Sequence, residues 1–289
     1  MGPTLAIVAL VALAPACTGA APGREGPAER VASQIVLADE LLWELGPVAR
    51  SRVVGVSSLA DDPTYSAVAG RWPASVPRVV GASEELLALR PELVIVAEWS
   101  NPETLALLDR SGTPHLRLAG FRGTDDLRQH IGAIAEALGL RADGDRLQAA
   151  LERRIERLRA DPVAPALRVV AWSEGHVSGA GTTFDDAATL AGLVHVPARE
   201  AGLTGHIAVG AERLLAWNPD LLVVPCGTDG CEAARARVLA TPGFGAARFA
   251  QDGGRGVVTL PAQQLYSTGF GLLDLADGLR AAAREYAAP

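Results

Sequence analysis

Residues able to do chemistry are few in this 289-residue chain, and their spacing excludes most reactions. There is no Gly-x-Ser-x-Gly turn to expose a nucleophilic serine, no Gly-x-x-x-x-Gly-Lys loop to cradle phosphate, and no His-Glu-x-x-His helix to hold zinc. The glycines at 175–181 lack the lysine that a phosphate loop requires. The five histidines are dispersed, whereas a bare metal ion needs three or four ligands to converge. Cys226 and Cys231 close a Gly-rich stretch, Cys-Gly-Thr-Asp-Gly-Cys. In an oxidising compartment that spacing predicts a disulfide, because a metal site would need two more soft ligands nearby. The loop is short, so the bond is expected to add rigidity more than global stability. The chain is expected not to be an enzyme, and to carry no catalytic residue, resident metal or cofactor of its own.

Binding is then the work to look for, and the first residues to place are two glutamates. Residues 84–96 and 212–224 agree at seven of thirteen positions without a gap: the leading Glu, Leu-Leu-Ala, Pro, a Leu and the final Val. Each copy reads as a short helix halted by Pro91 or Pro219, a polar residue, then an apolar run suited to a strand buried on both faces. Packing does not need the shared acid. Glu84 and Glu212 are therefore read as equivalent carboxylates on two lobes of like construction.

The elements that position them alternate throughout. In the first half, residues 31–37 and 52–56 read as strands, with Asp39 capping a helix over 40–45 that stops at Gly46. A polar loop over 57–65 follows. A helix near 103–110, a strand at 115–118 and an amphipathic helix over 127–138 come after the first repeat. Residues 143–160 form one unbroken helical pattern, with Leu147, Leu151, Ile155 and Leu158 on one stripe and Asp161-Pro162 at its end. It is read as the rod between the lobes. The second half runs through a strand at 168–172, a Gly-rich loop over 173–184 and a helix over 185–191 opened by Asp185 and Asp186. Beyond the second repeat come a helix near 232–240, a strand at 256–260 and a final helix ending near Tyr286. Alternation of this kind implies parallel sheets, whose ligands sit outside the carboxyl ends of the strands.

Residues 4–14 are an apolar run of signal-peptide length, too short for a stable membrane anchor. It ends in Leu13-Ala14-Pro15-Ala16-Cys17, which resembles the lipobox of bacterial lipoproteins. Lipidation at Cys17 and ordinary cleavage near Ala16 both stay open, and both take the mature chain out of the cytoplasm. The expected organisation is a signal peptide at 1–17, a flexible tether at 18–29, an N-terminal α/β lobe at 30–140, a linker helix at 141–162 and a C-terminal α/β lobe at 163–289. A composition 49% hydrophobic and 20% charged is that of a globular chain. The net charge of −7 argues against nucleic acid and against an anionic membrane surface as partner. A lipid anchor is the expected tie to the membrane.

Together these pieces resemble the bacterial substrate-binding proteins of ABC importers for iron-siderophore, cobalamin and haem, the long-helix-linked class III type. The resemblance covers about residues 30–282. It is carried by Arg30-Val31, Asp39-Glu40-Leu41-Leu42 with Leu45-Gly46, Arg52-Val53-Val54-Gly55-Val56, both repeats, and Gly179-Ala180-Gly181-Thr182-Thr183-Phe184 with Ala191-Gly192 and the closing segment. It implies an α/β fold of two Rossmann-like lobes with parallel-rich sheets, joined by a single long helix, with the ligand in the cleft between them. Little hinge closure is implied too, since a packed helix resists bending. The implied protein is extracytoplasmic, in the periplasm or on the outer face of the envelope, and monomeric. It captures a metal chelate (corrinoid, haem or ferric siderophore) and delivers it to a permease dimer with its ATPase. The family's docking glutamates fall on Glu84 and Glu212, and a matched pair suits a two-fold partner that presents arginines. A free-metal-ion-binding importer component and a ligand-sensing module are the alternative functions. In one respect the chain departs from the family. Ile35-Val36-Leu37-Ala38 stands where Ser-Pro-Ser or Ser-Pro-Thr precedes the first helix, and that region borders the ligand, so the ligand class stays open.

Pocket side chains are expected on loops after strands, which nominates Tyr65, Trp72, Trp99, His176, His206 and Tyr266. Aromatic walls suit corrins and porphyrins, because flat apolar surface is buried at little rotamer cost. In the family's cobalamin-binding members a pocket tryptophan matches Trp99, and another would stand at His206. That histidine is either an iron or cobalt ligand or a core residue satisfied by a carbonyl. Trp43 and Trp217 are expected in the core, and Trp172 in the core or at the rim. Arg71 and Arg122 are the candidate partners for an anionic ligand. Two arginines are too few to favour a catecholate complex.

Overall fold

The computed structural model describes residues 26–81 and 84–288, so the signal segment, Cys17 and residues 18–25 of the tether lie outside the described residues. Two separate sheets organise the chain. The first comprises β1 (Val31–Ser33), β2 (Val53–Ser57), β3 (Arg78–Val79), β4 (Leu93–Ala97) and β5 (His115–Leu118) in the order β3-β2-β1-β4-β5. Every pairing in it is parallel. The second comprises β6 (Arg168–Ser173), β7 (His176–Ser178), β8 (Val194–His195), β9 (His206–Ala208), β10 (Leu221–Cys226) and β11 (Val257–Pro261). Its order is β11-β10-β6-β7-β9, with β8 also on β6. Here β6, β8, β10 and β11 are parallel, while β7 and β9 form an antiparallel ribbon. The Gly-rich stretch expected as a loop thus contributes a strand, because His176–Ser178 folds back on Trp172-Ser173 through a turn at Glu174-Gly175.

The internal repeat is a repeat of structure as well as sequence. Helices Glu84–Ala88 and Ala211–Trp217 lead into β4 and β10, which are buried along all or most of their length. Arg90 and Asn218 precede the prolines and both take the left-handed conformation, with φ of 47° and 46°. A left-handed residue is the usual way to end a helix sharply. Glu92 and Asp220 follow the prolines and do one job. The backbone N–H groups of Glu92 and Asp220 donate to the carbonyls of Arg30 (2.8 Å) and Arg168 (2.9 Å). Their carboxylates accept from the N–H of Glu29 and of Arg168, both at 2.8 Å. The guanidinium groups of Arg30 and Arg168 complete each copy by donating to the carbonyls of Arg90 (3.2 Å) and Asn218 (2.9 Å).

Helix Arg141–Ala160 joins the lobes, burying Gly144, Leu151, Ile155 and Leu158. At Gly144 it crosses helix Thr124–Ala137 so closely that a Cβ would overlap the Ala135 methyl. Further along, Arg154 pairs with Asp274 (2.7 Å) and Asp277 (2.9 Å) on the terminal helix Gly271–Ala287. Asp186, on helix Thr183–Leu190 of the second lobe, accepts the Thr124 N–H at 2.7 Å and so caps a helix of the first. One apolar cluster runs through Leu127, Ile131, Leu151, Ile155, Phe184 and Leu272, from lobe to lobe. Truncating a leucine at its centre is expected to cost about 2–5 kcal/mol.

The first helix differs from expectation. It spans Val36–Glu44, starts at Ile35 without a side-chain cap, and holds Asp39 fully buried inside. Asp39 accepts from the N–H (3.1 Å) and hydroxyl (2.5 Å) of Ser57 at the end of β2, so tertiary contact has taken the carboxylate from the helix end.

Candidate functional site

In a doubly wound sheet the crevice lies where strand order reverses, outside the carboxyl ends of the strands flanking that point. In the first lobe these are β1 and β4, and in the second β6 and β10. Each crevice opens into a cavity. The first lobe's holds about 270 Å³ and is lined by Gln34–Leu37 after β1, Trp99 after β4, and Ser57, Ser58 and Phe121. The second lobe's holds about 810 Å³, between Ser173 and Glu174 after β6 and Cys226–Thr228 after β10, with Trp172 and Arg237. A third, of about 280 Å³, lies along the antiparallel ribbon and takes in His176 and His206.

Tyr65 and Tyr266 stand where these spaces meet. Tyr65, from the loop after β2, lines the first two cavities, and Tyr266, from the loop after β11, lines all three. Their rings stack across the lobes with centroids 5.9 Å apart at 29°. The Tyr266 hydroxyl also lies 3.3 Å from the Ser173 hydroxyl. Trp99 is 61% exposed on the cleft. Behind it the aromatic packing continues: Phe121 lies 4.1 Å from its ring and His130 lies 4.7 Å from Phe121. His130 Nε2 meets the Ala119 carbonyl at 3.1 Å. Burial holds its imidazole below the ordinary value, so it stays neutral at pH 7.

Five of the six nominated pocket residues therefore meet at one cleft, and Trp72 does not. It is 4% exposed, packed edge-on against Trp43 at 5.1 Å in the first lobe's core. It follows a turn at Gly70, not a strand end, and the Trp72-Pro73 corner folds inward. Trp43 is half-buried under Arg50 and Arg71, and Trp217 under Arg213. Trp172 serves both as core, against Phe244, and as cleft wall. His206 and His176 are exposed on the ribbon and face the third cavity. Arg71 pairs with Glu44 and Arg122 with Asp126, and neither lines the cleft cavities. Cys226 and Cys231 are joined by a disulfide, which forms part of the 810 Å³ wall. Glu84 and Glu212 are exposed in the first turns of the two repeated helices.

Sequence reasoning passed over two residues here. Phe121 follows β5 as Trp99 follows β4, so the same rule would have found it. Glu40 is only 6% exposed, yet it lines the 270 Å³ cavity. The signal was Leu37-Ala-Asp-Glu-Leu-Leu42, a helical run too apolar all round to leave its acids in water.

Two α/β lobes on a helical bridge, with an aromatic cleft between switch points, define a substrate-binding protein of the class III type. The chain belongs to the periplasmic binding protein family, whose model matches residues 39–263. No curated protein sequence matches it. Among solved structures, the periplasmic heme-binding protein RhuT from Roseiflexus sp. RS-1 is 28% identical with a TM-score of 0.72, covering 89% of this chain and 100% of that one. The periplasmic heme-binding protein BhuT, solved with two hemes, is 26% identical with a TM-score of 0.74, covering 91% and 100%. The vitamin B12 binding protein BtuF of Vibrio cholerae, at 21% identity and a TM-score of 0.70 over 90% and 98%, shares the fold. Family membership makes this an extracytoplasmic binding protein and implies a permease partner. Among the described residues no helix is long and apolar enough to cross a membrane.

Proposed function

We propose that the chain is the substrate-binding component of an ABC importer and captures a metal chelate of the flat macrocycle class, haem before a corrinoid or a ferric siderophore. The observation that carries this reading is the Tyr65–Tyr266 stack at the junction of three cavities. A planar ligand can replace each ring as the other's stacking partner, exchanging one aromatic contact for two. The phenols also offer hard oxygen ligands of the kind that hold ferric haem. The heme-binding neighbours above 25% identity support the same ligand. Trp99 and Phe121 would wall one face and Trp172 the other, with His176 and His206 at the rim.

Glu84 and Glu212 are proposed as the contacts to the permease dimer. They sit on equivalent helices, each before the strand paired to its lobe's first strand. Lipidation at Cys17 and a monomeric state belong to the same proposal. Titrating tryptophan fluorescence with haem, metal-free protoporphyrin, cyanocobalamin and ferric siderophores tests the ligand. Strong quenching by haem is expected, because Trp99 is in the cleft. Folded protein whose emission none of the four changes would overturn the reading.

A further inference from the structure

The cleft holds a carboxyl group for which capture as described so far has no use. Glu40 lies on the wall of the 270 Å³ cavity that both tyrosines also line. One of its carboxylate oxygens accepts the Ala67 N–H at 2.9 Å, two residues past Tyr65. The other lies against Gly269, three residues past Tyr266, where a Cβ would overlap it. Every charge that acts strongly on it is negative: Asp39 and Glu44 from its own helix, and Asp274 from the terminal helix. The nearby cations are committed elsewhere, Arg71 to Glu44, Arg154 to Asp274, and Arg78 to Asp61. The other polar side chains lining the cavity include the Gln34 amide, whose nitrogen is buried without a partner, the Ser57, Ser58, Ser267 and Thr268 hydroxyls and the two phenols.

We propose that Glu40 takes up a proton when a flat ligand fills the cleft, so that capture by this protein is coupled to protonation of a first-lobe acid. The inference rests on the capture reading above. A ligand over the 270 Å³ cavity removes the last water from Glu40, and any carboxylate arm on that ligand adds a fourth negative charge nearby. Both effects disfavour the ionised form. Burial has already raised the group to about 7 in the free protein, so the remaining shift falls in a range where protons are exchanged at neutral pH. By linkage, affinity is higher at low pH and declines as pH rises through the free protein's midpoint.

Calorimetry in buffers of different ionisation enthalpy tests this, with metal-free protoporphyrin as the first probe and haem as the second. At pH 7.5 the wild-type chain is expected to take up about 0.5–0.7 more protons per ligand than Glu40→Gln. Any proton released by a phenol on binding haem is common to both proteins and cancels. From pH 7 to 8.5 the wild type is expected to lose about four- to eightfold in porphyrin affinity that E40Q does not lose. Equal proton counts in the two proteins overturn this proposal alone, while no heat with either probe overturns the capture reading and this proposal together. If E40Q does not fold, a flat wild-type pH profile with the metal-free porphyrin is the overturning result.

Discussion

The two lobes are alike where they frame the molecule and unlike where they face the ligand. Strands β1, β4 and β5 correspond to β6, β10 and β11, down to the left-handed residue before each proline and the arginine that bonds to its carbonyl. On the other side of each first strand the correspondence ends. The first lobe continues with β2 and β3, and buries Asp39 and Glu40 beneath the Tyr65 loop. The second replaces that side with short β8 and an antiparallel ribbon carrying His176 and His206. The shared half thus supplies the symmetric features together with Trp99, Phe121 and Tyr266, while the divergent half adds Tyr65 and the two histidines.

Charge reversal at Glu84 and Glu212 tests the shared half and should have the largest effect. The E84K/E212K pair is expected to abolish uptake in cells carrying the cognate permease while ligand affinity stays within about twofold, since an arginine partner would meet like charge at both contacts. Each single variant should lose transport to a similar degree. A fall in affinity instead would move these residues into the pocket and break the symmetry argument. Replacing Tyr65, from the divergent half, and Tyr266, from the shared half, by alanine tests the cleft that the two build together. Loss of two central aromatic contacts, at about 1.4 kcal/mol or more each, predicts at least about a 100-fold weaker haem complex by titration. Trp72→Phe is the control, expected to leave affinity within about twofold because its ring faces the core.

Stability against pH tests the acids that the first lobe shuts away from water. Burial raises Asp39 to about 6, against the opposing hydrogen bonds from Ser57 and Ser33, and raises Glu40 to about 7. A carboxyl with a higher midpoint in the folded than in the unfolded chain favours folding only while protonated. For Glu40 the penalty is absent below pH 4.5 and grows to its full size above about 7. Its size follows from the shift, about 3 kcal/mol. Thermal melts should therefore show the wild type less stable at pH 8 than at pH 5. Glu40→Gln should recover about 3 kcal/mol at pH 8 and about 1 kcal/mol or less at pH 5. A gain of equal size at both values would mean that packing, and not charge, limits the site.

Much of the frame was legible from local pattern. A helix stopped by Pro91 or Pro219 and followed by Leu-rich runs needs only near neighbours to be recognised, and so does the apolar stripe of the linker helix. The loop rule placed Tyr65, Trp99 and Tyr266 on the cavity walls, while His176 and His206 reach the third cavity from the strands of the ribbon, expected as loop. It failed at Trp72, whose corner turns inward, and the capping rule failed at Asp39, where Ser57 outcompeted the helix end for the carboxylate. No spacing rule could have paired Tyr65 with Tyr266, which are remote in sequence and meet only because the linker helix and the Asp186 cap fix the distance between lobes.

By itself, then, the sequence determined the alternation of elements, the duplication, and the acids that duplication repeats, since each is set by contacts within a few residues. Only the tertiary structure decided which loop residues line the cleft and which acids are shut away from water. Burial and electrostatic environment are sums over distant parts of the chain, and Glu40 ends between Ala67 and Gly269 through packing that no local window contains.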